Sequence, residues 1–184
     1  MALRSFGVDI DYEELATRME TGKKTKGTSP IKMAIELAKI GMDVVYAFQP
    51  EQLPARYVTK SVTDEQARAY FKRKKWMSYV TMYDEGVKVL NRRASIVYID
   101  KMIKKGYVAI TGTRPKILAR SKKNGYHGGH AIIIKRVDLK NNRVHVIDPS
   151  PYKKKSSYTI EHFESARVGN INHVVFVKDK ILLS

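Results

Sequence analysis

One histidine and one aspartate stand where general acid–base chemistry could be done. In the stretch YHGGHAIIIKRVDLKNNRVHVIDPSP, residues 126–151, His130 opens an apolar segment behind two glycines. Asp148 closes the next apolar segment, directly before Pro149. Segments 130–137 and 143–148 flank Lys140, Asn141 and Asn142, turn residues between two runs of strand formers, which predicts an antiparallel hairpin. A hairpin returns the chain, so the start of its first strand and the end of its second meet at one sheet edge. A carboxylate holding the Nδ1–H of an imidazole orients the ring and favours the imidazolium, as a general base requires. Whether the two side chains share a face depends on a register that the spacing leaves open. The alternative is local: His130 starts a strand, and Asp148 with Pro149 turns the chain.

The remaining histidines offer less. His127 and His130 lie three apart in a glycine-rich segment and could chelate, with His145 as a third ligand, but zinc normally takes three or four protein ligands. Strand parity puts His145 and Asp148 on opposite faces, so no metal is expected. Gly125, Gly128 and Gly129 do not form a phosphate loop, because no Gly-Lys-Ser/Thr follows and a strand comes next. No cofactor is expected. The chain has no cysteine, which removes disulfides, thiolate metal sites and the usual nucleophile of a thiol hydrolase.

The elements that must position these residues are legible as an α+β pattern. Residues 1–6 read as a last helical turn ended by Gly7. Asp11 caps a helix to Met19, with Glu13 and Glu14 at its positive end. A lysine-rich loop at 22–27 follows. Ser29 and Pro30 open a second helix that Gly41 stops, and 42–48 reads as a strand. After a loop with Pro50 and Pro54, 64–75 is helical, and 76–90 is expected to be helical too, with Trp76, Tyr79 and Tyr83 packing at helical spacing. Ser95 caps 96–105, which Gly106 ends, and a short strand occupies 108–111. Residues 113–125 form a loop with at most a turn of helix. Beyond the hairpin, Thr159 or Ser157 starts a short helix to Ala166, and 173–178 is a closing strand. Helices lead and an antiparallel sheet dominates the second half. At 184 residues this is one domain, 1–184.

The net charge of +17 is uneven. Residues 101–155 hold fifteen Lys and Arg against Asp138 and Asp148. Such a field attracts nucleic acid, acidic headgroups or an acidic polypeptide, unless it is only a solvated surface. Residues 72–75, 114–123 and 153–155 supply the contacts, although no nucleic-acid motif accompanies them. No apolar run approaches the ~18 residues of a membrane helix, and no signal-peptide core opens the chain. The expectation is a cytoplasmic protein with no membrane insertion.

The order of segments resembles a known family. MALRSFGVDIDYEEL, GTSPIKMAIELAKIGMDV, the helix–strand SIVYIDKMIKKGYVAI, GGHAIIIKRVD and VHVIDPSP together look like the papain-like cysteine peptidases of the bacteriocin-processing, double-glycine type, over nearly the whole chain. The resemblance implies a papain-like fold, peptide or amide hydrolysis, His130 as catalytic base and Asp148 as its orienting partner. It implies a peptide or protein substrate, an acidic one fitting the positive field. The family cysteine, in a Cys-Gly-Pro context, would fall about two helical turns before Met1, with an oxyanion-binding glutamine further upstream. The expectation is therefore a fragment whose first helix is truncated, inactive as a thiol peptidase. The competing expectation is a natural nucleophile-free form, binding an acidic peptide or nucleic acid through its basic surface.

Overall fold

The computed structural model describes residues 11–19, 29–48, 63–118, 130–148, 156–167 and 172–179. The helical turn expected at 1–6, the loops at 22–27 and around Pro50 and Pro54, residues 119–125, His127, Pro149 and residues 153–155 lie outside them.

Local signals set most element boundaries. Helix α1 (Tyr12–Arg18) begins where Asp11 accepts the Glu13 N–H at 2.8 Å. Helix α2 (Pro30–Lys39) starts on Pro30; Ser29 takes the extended cap conformation, but its hydroxyl makes no capping hydrogen bond. Strand β1 (Asp43–Ala47) is buried along its whole length. Helix α3 (Asp64–Arg73) opens on a capping box between Thr63 and Gln66. Helix α5 (Ile96–Lys104) opens where Ser95 accepts the Tyr98 N–H at 3.2 Å. Strand β3 (Val108–Thr113), the single turn α6 (Pro115–Leu118) and the hairpin of β4 (His130–Asp138) and β5 (Arg143–Ile147) follow. Strand β6 (Ser157–Thr159) runs into α7 (Ile160–Ala166), capped by Thr159, and β7 (Val174–Lys178) closes the described chain.

One expectation is corrected. Residues 76–90 are not a single helix: α4 (Met77–Asp84) stops, and β2 (Lys88–Leu90) follows. The cause is Gly86, which takes φ 74 while the Val87 N–H folds back onto the Met82 carbonyl at 2.9 Å. That left-handed turn ends the helix, and Val87 and Val89 favour extended backbone.

The seven strands form one sheet in the order β2-β1-β7-β3-β4-β5-β6. β2 pairs parallel to β1 (Val45 opposite Lys88), so the sheet is mixed where an antiparallel one was expected. All other pairings are antiparallel. The C-terminal ends of β1, β2, β3 and β5 therefore lie at one edge of the sheet with the N-terminal ends of β4 and β7.

Both faces are covered. Helices α2, α3 and α4 pack Ala34, Leu37, Phe71 and Met82 against Val44, Tyr46, Val175 and Val177 on one face. On the other, Ile99 and Met102 of α5 and Phe163 and Ala166 of α7 pack against Val45, Ala109, Ile132, Ile134, Val144, Val146 and Phe176. Each fully buried Val, Leu, Ile, Phe or Met among them contributes about 1.5–3 kcal/mol.

An ionic cluster around one buried arginine joins the second layer together. Arg167 is fully buried after α7; it donates to Glu164 at 2.5 Å and to the Ala94 carbonyl at 3.3 Å, while Arg93 reaches the other oxygen of Glu164 at 2.5 Å. Near it, burial and then the Arg167 charge push the His173 imidazole down to about 4. His173 is thus neutral in the folded chain, while the unfolded chain protonates it near its ordinary value of 6.5. Its contribution is complete above that value and is lost as pH falls toward about 4. The loss is on the order of 3 kcal/mol. Urea denaturation between pH 6.5 and 4.5 should show stability falling, and His173→Gln should flatten the fall; equal slopes for both proteins would contradict this assignment.

Candidate active site

The hairpin brings His130 and Asp148 together. His130 Nε2 lies 2.6 Å from Asp148 Oδ1, with side-chain exposures of 19% and 11%. A contact this short between an imidazole and a carboxylate, largely removed from water, is a charge-assisted hydrogen bond. The nitrogen engaged is Nε2, not the Nδ1 expected from the sequence. Nδ1 has no hydrogen-bond partner among the described residues and is the nitrogen left to accept a proton.

Register explains how the two side chains come to share a face. Near the edge, Ile133 pairs with Ile147 and Ile134 with Val146. Continuing that ladder puts Asp148 beside Ile132, two residues from His130 and on the same face, a diagonal within reach of long side chains. Near the turn the ladder has slipped: Arg136 pairs with His145, Val137 with Val144 and Asp138 with Arg143. Lys135 is the extra residue between the two registers, a β-bulge. Burial reports the same slip. Ile132, Ile134 and Val137 all sit in one core cluster, although 134 and 137 differ by an odd number and would face opposite ways in a regular strand.

If the turn-proximal register ran through to the edge, Asp148 would lie opposite Ile133. His130 would then be on the other face. The inserted residue puts the imidazole and the carboxylate together.

Neighbouring strands hold the pair in place. Thr113 is directly opposite His130 on β3, and its hydroxyl donates to the His130 carbonyl at 3.2 Å. Thr111, two residues earlier on the same face, donates to the His173 carbonyl at 2.7 Å. Both threonines are buried and both hydroxyls are satisfied, so they cost little and fasten β3 to the chain on either side. On the β6 side, Tyr158 pairs with Val144. Burial and then the negative charge of Asp148 raise its phenol above the ordinary range, as expected beside an ionised carboxylate.

His145 is on the opposite face from Asp148, with its Nε2 3.1 Å from Arg136. Among the described residues no group of three or more His, Cys, Asp or Glu side chains could hold a metal ion. Thr113, Tyr158 and the bulge at Lys135 were not singled out from the sequence. The bulge has no signal there, because Ile132, Ile133 and Ile134 are all apolar and no alternation marks the buried face before Val137.

Comparison of the chain with protein-family models, with curated proteins and with solved structures finds no match.

The bulge makes residue count, and not lysine chemistry, the requirement at position 135. The Lys135 side chain is exposed, so Lys135→Ala should change stability by no more than about 0.5 kcal/mol. Deleting Lys135 must turn either Val137 or Ile132 and Ile134 off the buried face, a loss of at least about 2 kcal/mol. Urea denaturation of the two variants measures both; similar, small effects would rule the bulge out as the phase-setting feature.

Proposed function

We propose that this chain carries the acid–base half of a papain-like thiol-hydrolase site acting on peptide or amide bonds. The carrying observation is the 2.6 Å contact between His130 Nε2 and Asp148 Oδ1. It leaves Nδ1 as an oriented base at the edge of an α+β domain. The order of segments that resembles the double-glycine-type peptidases supports the same reading, and an α+β architecture is compatible with it.

In that chemistry the imidazole takes the proton of a thiol and the thiolate attacks the carbonyl carbon. The imidazolium then returns its proton to the leaving amine. Asp148 fixes the ring and stabilises its charged form throughout. The 184 residues contain no cysteine, so no thiolate step is available within them. The substrate class is a peptide or protein, and an acidic one suits a chain of net charge +17.

The absence of cysteine favours a second reading, a non-catalytic module that binds an acidic peptide or nucleic acid through its basic surface. Much of the basic stretch, at 119–129 and 149–155, lies outside the described residues.

One comparison separates the two readings. The 184-residue chain should not cleave a fluorogenic peptide amide under reducing conditions. An extended chain with a Cys-Gly-Pro helix joined before Met1, its thiol about two turns upstream, should cleave it. His130→Ala should then lower the rate by about 10²–10⁴-fold, the usual contribution of a positioned base, and Asp148→Ala should lower it as well. A folded, extended chain without His130-dependent turnover contradicts the hydrolase reading. Hydrolysis by the 184-residue chain that is lost on His130→Ala instead contradicts the requirement for a thiol that these residues lack.

A further inference from the structure

Four helices end in the same hydrogen-bonded turn, with one residue in the left-handed region after the cap. In α2, α4 and α5 that residue is glycine: Gly41 (φ 89), Gly86 (φ 74) and Gly106 (φ 85). Helix α3 departs from the pattern. Lys75 occupies the position at φ 57; its N–H donates to the Lys72 carbonyl at 3.0 Å, and the Trp76 N–H to the Phe71 carbonyl at 3.0 Å. The Phe71 and Trp76 rings stack at 5.8 Å across the turn, the apolar contact that usually completes this motif. A side chain at this φ is strained where glycine is not. Glycine serves at the other three ends, so a lysine here points to a use for its side chain.

Its surroundings indicate the use. Of residues 72–78 only Trp76 is part-buried. Lys72, Arg73, Lys74 and Lys75 are exposed in succession, and none is in an ion pair among the described residues. Arg73 lies over the Tyr70 ring at 5.8 Å, while Arg68, a turn earlier, is already paired with Asp84. Met77 follows directly and is 55% exposed. Four cations without an ion pair among the described residues, a half-buried tryptophan and an exposed methionine thus occupy one helix–helix corner.

We propose that the α3–α4 corner docks on an anionic lipid surface, its cations against headgroup phosphates and Met77 in the headgroup–acyl boundary. Met77 has no partner on a phosphodiester backbone, whereas a bilayer surface takes charge and apolar side chain together. Among the described residues no helix is long and apolar enough to cross a membrane, so this contact is peripheral. It does not depend on the His130–Asp148 reading.

The test is co-sedimentation of the full chain with vesicles of pure phosphatidylcholine and of an equal mixture of phosphatidylcholine and phosphatidylglycerol. Binding is expected to the mixed vesicles only. The combined variant Lys72→Gln, Lys74→Gln, Lys75→Gln should weaken it by about a hundredfold, from the usual contribution of each cation near such a surface. Met77→Ser should weaken vesicle binding several-fold and leave binding of a single-stranded oligonucleotide unchanged. Lys75→Gly should melt at a higher temperature yet bind the mixed vesicles less well, a combination that a purely structural lysine would not give. Vesicle binding unaffected by the triple variant overturns the proposal. An oligonucleotide bound as tightly as the mixed vesicles, with Met77→Ser neutral for both, also overturns it and assigns the corner to nucleic acid.

Discussion

Side chains alternate strictly along a strand, so the face on which His130 falls is fixed by the number of residues between it and the hairpin turn. Strand β4 carries one more residue there than a regular ladder would accept, and Lys135 absorbs it. The turn end is held by Asp138, which accepts both the backbone and side-chain N–H groups of Asn141 at 3.0 Å. The edge end is held on both sides, by β3 through Ala131 to Ile134 and by β5 through Ile133 and Ile134. Two independently fixed ends with an odd residue between them require a bulge. The imidazole and the carboxylate face each other as a consequence.

The same constraint explains why the pair is sheltered. The face that receives His130 and Asp148 is the one where Ile132, Ile134, Val144 and Val146 pack under α5 and α7. That packing removes water from one side of the contact and strengthens it. The layer is held from above by the buried Arg167, whose bond to the Ala94 carbonyl ties the end of α7 to the segment leading into α5. An isolated guanidinium there would be very unfavourable; Glu164, shared with Arg93, makes it tolerable. Stability at this edge and the geometry of the pair therefore share the same side chains.

Much of this was legible in the residues. Asp11, Ser95 and Thr159 cap helices as their types predict, and the hairpin around Lys140, Asn141 and Asn142 forms where turn chemistry puts it. The hairpin made it legible that His130 and Asp148 reach one sheet edge, but not that they share a face, since a bulge sets that. The rest was hidden for physical reasons. The contact nitrogen depends on the approach angle of a side chain, which no spacing encodes. The parallel pairing of β2 with β1 joins residues more than forty apart in sequence, and a three-residue strand has too short an alternation to stand out from the helix before it. Thr113 looks like an ordinary strand residue until its partner strand is known.

Asp148 holds His130 through Nε2 and leaves Nδ1 as the basic nitrogen. Long-range ¹H–¹⁵N NMR of the imidazole in the intact chain reads this directly. Neutral His130 should be the Nε2–H tautomer, its proton shifted downfield by the carboxylate, and Asp148→Asn should remove that shift. A neutral His130 protonated on Nδ1, or a spectrum unchanged by Asp148→Asn, would contradict it.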